Sequence, residues 1–495
     1  HLAAKSGNVA LIELLLARKA NLHALVHARY NALGFACMQA NQDAALLLLE
    51  RGADWRVRAK VGHTPIVHAA WYGQTETVRR MIAKGADINS RGAWAMTPLI
   101  AAATGQREET IRFLIEAGAD VNARTVDGIN AVNLAAGKNM TDSVRLLLAK
   151  GAKATLVPTY KMDSFGPGVD DERDESLPLY DGETALMSAI SRTEADLELC
   201  KLLVSAGVDV NARGVKGRSA LWYAANKGHT DIARWLLSSG ATDAAIADKR
   251  DLIAPFHLAA RNGHLEVVKL LHPRVGSADV RTPSQSTALM YAAAFGRIDV
   301  AKWLLSQRAD VNARNKGNAT ALMGAAAGGH VPMVELLLSR GADPAAKDDA
   351  RLSREYNIDY FGNVIREIEP PRTAFVHAVV GGHLEAARIL ARHAPDVNYV
   401  CSDRNSLLMR CIRRGWRDLA FLLIERGADV NYRTREIVPG RPNALFSAVW
   451  ANDPATVRRL AEAGADLEAR DEHYTWTPLY CAVYFNHFRV VEALV

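Results

Sequence analysis

The sequence predicts an all-α solenoid, a stack of short antiparallel helix pairs, and three observations predict it. The stretch Thr320–Asp343, TALMGAAAGGHVPMVELLLSRGAD, reads as two helices and a turn. Thr320 is a helix N-cap whose hydroxyl can accept from the free N–H groups of the first turn. Leu322, Ala325 and Ala326 give the first helix one narrow apolar side, and Gly328 with Gly329 ends it. Val334, Leu337 and Leu338 give the second an apolar face, and Gly341 falls where a left-handed residue closes a helix. The second observation is length, because helices of about ten residues are marginal alone and need neighbours to cover them. The third is that neighbours are present: Lys19, Gly52, Gly85, Gly118 and Gly151 hold the place of Gly341 at a constant spacing of 33, and Gly207 to Gly240 and Arg308 to Gly341 repeat it.

Such a period, with T-P-L opening each unit, resembles the ankyrin repeat. TPIVHAAWYGQTETVRRMIAKGADIN from Thr64 and TPLIAAATGQREETIRFLIEAGADVN from Thr97 carry the resemblance. So do APFHLAARNGHLEVVKLL from Ala254 and TALMYAAAFGRIDVAKWLLSQRADVN from Thr287. Fourteen copies begin near His1 (incomplete), Asn31, Thr64, Thr97, Asn130, Thr184, Ser219, Ala254, Thr287, Thr320, Thr373, Ser406, Asn443 and Thr477 (incomplete). The resemblance implies β-turn fingers between repeats, a concave groove that binds proteins, and no catalysis. Met187, Met290, Met323 and Met409 replace the His of T-P-L-H, which predicts a weakened capping bond but an intact helix.

In chain order, residues 1–153 hold repeats 1 to 5. Residues 154–182 break the period with three prolines and seven acids against two bases, which reads as an acidic loop pushed out of the stack. Its cluster Asp170, Asp171, Glu172, Asp174 and Glu175 lacks the spacing of a calcium loop. Residues 183–344 hold repeats 6 to 10, with Pro273 expected to end a second helix early. Residues 345–372 form a second insertion whose Tyr356, Tyr360 and Phe361 suggest folding against the array. Residues 373–495 hold repeats 11 to 14 of what reads as one continuous solenoid. Both insertions are expected on the finger edge, and both chain ends look cut within a repeat, so fraying is expected there.

Composition is that of an ordinary globular chain, 49% hydrophobic and 23% charged, with a net charge of +6 that is small for 495 residues. No apolar run is long enough to span a membrane. Cys37 and Cys411 stand where the repeat places small buried alanines, and C-x-x-C, H-E-x-x-H, P-loop and nucleophile-elbow patterns are absent from the sequence. No catalytic residue, metal or cofactor is therefore expected. His229, His264, His330 and His383 recur at one repeat position, which predicts a repeated structural hydrogen bond, and the Asn of D-V-N (Asn122, Asn211, Asn312, Asn398, Asn431) suits a turn.

Function then falls to the surface. In the resembling family the two places after A-A at the end of each first helix face the groove. Here they hold Trp71 and Tyr72, Phe295, Arg413 and Arg414, Trp450, and Tyr484 and Phe485. Aromatics and arginine dominate interface energies. Arg404 to Arg441 adds nine arginines against four acids, so a monomeric scaffold binding an acidic protein partner is expected, with Arg413 to Phe485 as its main surface. The array could equally serve as the recognition arm of a larger enzyme or channel. Nucleic acid fits less well, because no recurrent basic and aromatic stacking platform is present.

Overall fold

The computed structural model describes all residues except 27–28, 61, 155–182, 215–216, 243–252, 350, 353–356, 359–363, 366–367, 395–396, 402, 435–442 and 472–474. The acidic stretch, including Asp170–Glu175, thus lies outside the described residues. So do Tyr356, Tyr360 and Phe361. Twenty-eight α-helices occur among the described residues, in fourteen pairs, and divide into two units, His1–Pro255 and Phe256–Val495.

Each unit is an α-solenoid. First helices pack side by side, as Pro65–Trp71 does on Pro98–Thr104 in the first unit and Ala288–Ala294 on Ala321–Ala327 in the second. Second helices form a parallel row, Ile298–Ser306 beside Val331–Ser339. The small residues decide how closely first helices approach: a Cβ on Gly324 would sit 3.2 Å from the Cβ of Ala294. Within the repeat at Thr320, Leu322, Met323, Ala325, Ala326, Met333, Val334 and Leu337 are buried. Leu338, expected on the apolar face, is only half-buried, and Met333 takes its place in the core. Burying one such leucine is worth ~1.5–3 kcal/mol.

Local signals translate directly. Thr320 Oγ1 accepts from the N–H of Met323 at 3.4 Å, and Thr97, Thr184, Thr287, Thr373, Ser406 and Thr477 cap alike. The methionines do not weaken this bond, contrary to expectation, because the cap uses their backbone N–H. The histidine of T-P-L-H instead points to a finger: His257 Nε2 lies 2.8 Å from the carbonyl of Val280. The closing position is left-handed whether glycine occupies it or not, with φ 83° at Gly341, 61° at Lys19 and 64° at Arg308. Pro273 does not shorten its helix. Leu265–Val275 runs through it to a left-handed Gly276, so the proline forfeits one N–H and the helix, at 11 residues, outruns the 9 of Ile298–Ser306.

Two ladders tie each repeat to the next. In the turn, the aspartate of D-V-N makes the local bond, Asp310 Oδ1 accepting from Asn312 N–H at 2.9 Å. The asparagine, expected to bond within its own turn, reaches across: Asn312 Nδ2 donates to Gly341 O at 3.0 Å and its Oδ1 accepts from Asp343 N–H at 2.8 Å. Asn122, Asn211, Asn398 and Asn431 do the same to Gly151, Gly240, Gly427 and Gly464. The second ladder starts at the residue preceding each second helix. His229, His330 and His383 place Nε2 at 2.7, 3.1 and 2.9 Å from the carbonyls of Arg192, Ala294 and Ala327. Gln74, Arg107 and Arg297 hold that position elsewhere and donate to Ala36, Trp71 and Arg261. The histidines and arginines therefore serve carbonyls left free at the end of the preceding repeat's first helix, while Gln74 adds a second bond to Ala36 O, which already accepts from Asn41 N–H.

The fingers are tight hairpins. Asn315 N–H donates to Ala319 O at 3.1 Å, and Asn318 N–H closes the loop on Asn315 O at 3.0 Å. One finger is different. Asp348, in register with Asn315, pairs instead with Arg372, its N–H donating to Arg372 O at 3.1 Å. Beyond that pair β1 (Arg351–Leu352) runs antiparallel to β4 (Ile368–Glu369), and β2 (Asn357–Ile358) to β3 (Val364–Ile365). Among the described residues, the second unit thus carries one elongated β-finger. Its base is fixed by buried Asp348, whose Oδ2 lies 3.0 Å from His377 Nε2, and by Tyr399, whose hydroxyl donates to Pro370 O at 2.9 Å.

Candidate partner-binding surface

The donors that close the first-helix ends also fix the backbone on which the proposed groove side chains stand. In the first unit Trp71 is half-buried and Tyr72 is 38% exposed, and the Trp71 carbonyl is held by Arg107 Nε at 3.1 Å. In the second unit Phe295 is 43% exposed, with the Arg261 guanidinium 4.8 Å from its ring centre. The next two repeats offer only Ala327 with Gly328 and Val380 with Gly381 at these places. Arg413, Trp450 and the pair Tyr484 and Phe485 then follow on three consecutive repeats.

The structure gathers the last of these. Trp450 and Phe485 rings lie 4.4 Å apart across two repeats, and Tyr484 meets Phe485 edge-on at 5.0 Å. Trp476 and Tyr480, which sequence reading missed, extend the cluster, each 4.9 Å from a neighbour through Trp476–Tyr480 and Trp476–Tyr484. The signal was available, since Tyr480 and Tyr484 stand four apart on one helix and therefore share a face. Trp71, Tyr72 and Phe295 are not part of this cluster.

The arginines divide sharply. Arg414 donates to the carbonyls of Val379 and Val380 and stacks 5.0 Å from Trp416, doing the work that a histidine does in other repeats. Arg410 pairs with Asp403 at 2.7 Å and Arg417 with Asp453 at 2.9 Å. Arg426 and Arg433 are held by backbone carbonyls. Arg413 alone in this set is exposed with no ion pair or hydrogen bond among the described residues. Two of these arginines are thus matched by carboxylates, while Arg414, Arg426 and Arg433 keep their charge and spend their donors on the backbone.

Reactive chemistry is not assembled among the described residues. All five cysteines are free and buried, and burial pushes the thiols of Cys411 and Cys200 up to about 12. No group of three or more metal-ligating side chains converges, and no helix is long and apolar enough to cross a membrane, both statements holding for the described residues.

Comparison with known proteins agrees with the geometry. A family model described as ankyrin repeats (3 copies) matches residues 1–92, 66–157, 164–248, 253–348 and 357–434, and one described as ankyrin repeats (many copies) matches 445–495. The chain is 37% identical over 89 residues to the Ankyrin repeat and KH domain-containing protein mask-1 of Caenorhabditis elegans, covering 18% of this chain and 3% of that protein. It is 38% identical over 80 residues to the putative ankyrin repeat protein L271 of Acanthamoeba polyphaga mimivirus, covering 16% of this chain and 11% of that protein. The crystal structure of the human ASB11 ankyrin repeat domain superposes with a TM-score of 0.40 at 24% identity, covering 50% of this chain and 99% of that domain. With repeat models matching along its whole length and every repeat built as a turn and two helices, the chain belongs to the ankyrin-repeat family.

Proposed function

We propose that this chain is a non-enzymatic protein-binding scaffold whose partner docks across Arg413 to Phe485 through an acidic segment that also presents apolar or aromatic side chains. Ankyrin repeats are protein–protein interaction modules, and the fold is in general a scaffold. One observation carries the finer assignment: the end of the first helix on three consecutive repeats holds in turn an unpaired cation, Arg413, then Trp450, then Tyr484 with Phe485, whose rings gather. Large aromatics desolvated together provide most of the energy of such surfaces, and a nearby cation selects the sign of the partner. Arg414, exposed and bonded to the Val379 and Val380 carbonyls, supports the floor of this surface.

Selection of a random peptide library on the immobilised chain tests this. Enriched peptides should combine Asp or Glu with aromatics, and Arg413→Ala with Trp450→Ala should weaken them by about tenfold or more. Arg414→Ala should lower stability while leaving intrinsic affinity close to that of the wild type. Peptides without acidic enrichment, or bound equally by the double variant, would move the site elsewhere.

A further inference from the structure

A cleft of about 710 Å³ opens in the first unit where the helices Ala131–Gly137, Ala185–Ile190 and Ala220–Lys227 end. Its wall carries one cation from each of three consecutive repeats, Lys138, Arg192 and Lys227, with Ser188, Glu194 and a Glu183 carboxylate that accepts from the Tyr223 hydroxyl among them. Arg192 is occupied, donating to Gly137 O at 2.9 Å, while its own carbonyl accepts from His229. The helix-end carbonyls are thus served without the lysines. Lys138, Lys227 and the Glu194 carboxylate make no ion pair or side-chain hydrogen bond among the described residues. Ser188, at the foot of the wall, is only 3% exposed, and its hydroxyl is sealed from solvent without a hydrogen-bond partner. Two ammonium groups that no described neighbour matches thus line one polar cleft, and that marks a place for incoming anionic groups.

We propose that this cleft is a second recognition site, taking an acidic peptide segment of a partner protein. Carboxylates meet Lys138 and Lys227, and a backbone N–H of the peptide donates to Glu194. An extended acidic chain alternates acceptors with N–H donors, which matches a wall that mixes cations with a free carboxylate. A small dense anion does not match it, because Glu194 would repel it and the volume exceeds its needs. The site shares no residue with Arg413–Phe485, so it stands or falls independently of the function proposed above.

The test is fluorescence anisotropy of a fluorescein-labelled peptide alternating Asp or Glu with Gly, at low and high salt, on the full chain. Lys138→Glu with Lys227→Glu should reduce affinity by about tenfold or more, and added salt should do likewise. The melting temperature of the double lysine variant should stay at the wild-type value, which separates a ligand contact from a structural role. Arg413→Ala with Trp450→Ala should leave this binding unchanged. Wild-type affinity in the double lysine variant, or loss in the Arg413 and Trp450 variant instead, would overturn the proposal. A further variant replaces Asp170, Asp171, Glu172, Asp174 and Glu175 by their amides. Binding seen only in that variant would assign the cleft to the chain's own acids and overturn the partner assignment.

Discussion

His257 shows how far a single residue can be committed to the fold. Its side chain is fully buried, one ring nitrogen faces the Val280 carbonyl at 2.8 Å, and burial drives its pKa down to about 4. His68 is driven lower, to about 3, by burial and then by the neighbouring His63. Both are neutral in the fold and protonate readily once unfolded near pH 6.5. Their contribution is complete above about pH 6.5 and is lost progressively as the pH falls toward 4 and then 3, because the unfolded state binds more protons there. For His257 the linkage is on the order of 3 kcal/mol. We expect hydrogen exchange in the helix Pro255–Asn262 to accelerate from pH 6.5 to pH 4, and His257→Gln, which keeps a donor but cannot titrate, to flatten that profile. An unchanged slope in the variant would place the acid sensitivity elsewhere.

At the scale of the element, the second-helix N-cap position acts on a helix other than its own. His330 makes no side-chain cap to its own helix, Val331–Ser339, and instead donates to Ala294 O in the preceding repeat. Removing it leaves that carbonyl unserved, so His330→Ala should cost ~1 kcal/mol by denaturant unfolding, whereas His330→Gln, which keeps a side-chain N–H donor, should cost less. Recurrence in sequence revealed that the histidines are structural, but not which carbonyl they serve. That partner lies 36 residues away for His330, and no local pattern encodes it. The same limit explains the asparagines of D-V-N, whose bonds run to the next repeat, and Arg414, whose chemistry suggested an acidic partner while its neighbours supplied carbonyls. Helix ends, caps and the small-residue face were legible because they depend on residues within a few positions. The Trp476 and Tyr480 contribution was not noticed because it is a property of a face and not of one groove position.

For the whole molecule, each unit is a one-dimensional stack in which a repeat contacts only its neighbours, and stability is a sum of repeat and interface terms. A core truncation should therefore act locally. Leu337 is fully buried, so Leu337→Ala should cost ~2–5 kcal/mol. Hydrogen exchange should rise most in its own repeat, less in the repeats at Thr287 and Thr373, and little by Asn443. Uniform acceleration from Phe256 to Val495 would instead show a single cooperative unit. The same locality explains why two surfaces, one on each unit, can carry different residues without disturbing the helices beneath them: only the outward places vary, while the carbonyl-serving donors keep the backbone below them constant.

The long finger separates length from register. An ordinary finger closes Asn315 on Ala319, and the long one closes Asp348 on Arg372, yet the donor that follows still finds its carbonyl: His383 reaches Ala327 across 56 positions where His330 reaches Ala294 across 36. The twenty positions gained between those two spans equal the twenty gained between the two finger closures, so all the added chain is absorbed above the Asp348–Arg372 pair and none enters the stack. The hairpin behaves as a spur line off a fixed track. Cargo grafted between Ile358 and Val364 should ride on it without changing the gauge of the helices, which makes this finger the natural point at which a foreign loop or reporter can be carried by the scaffold.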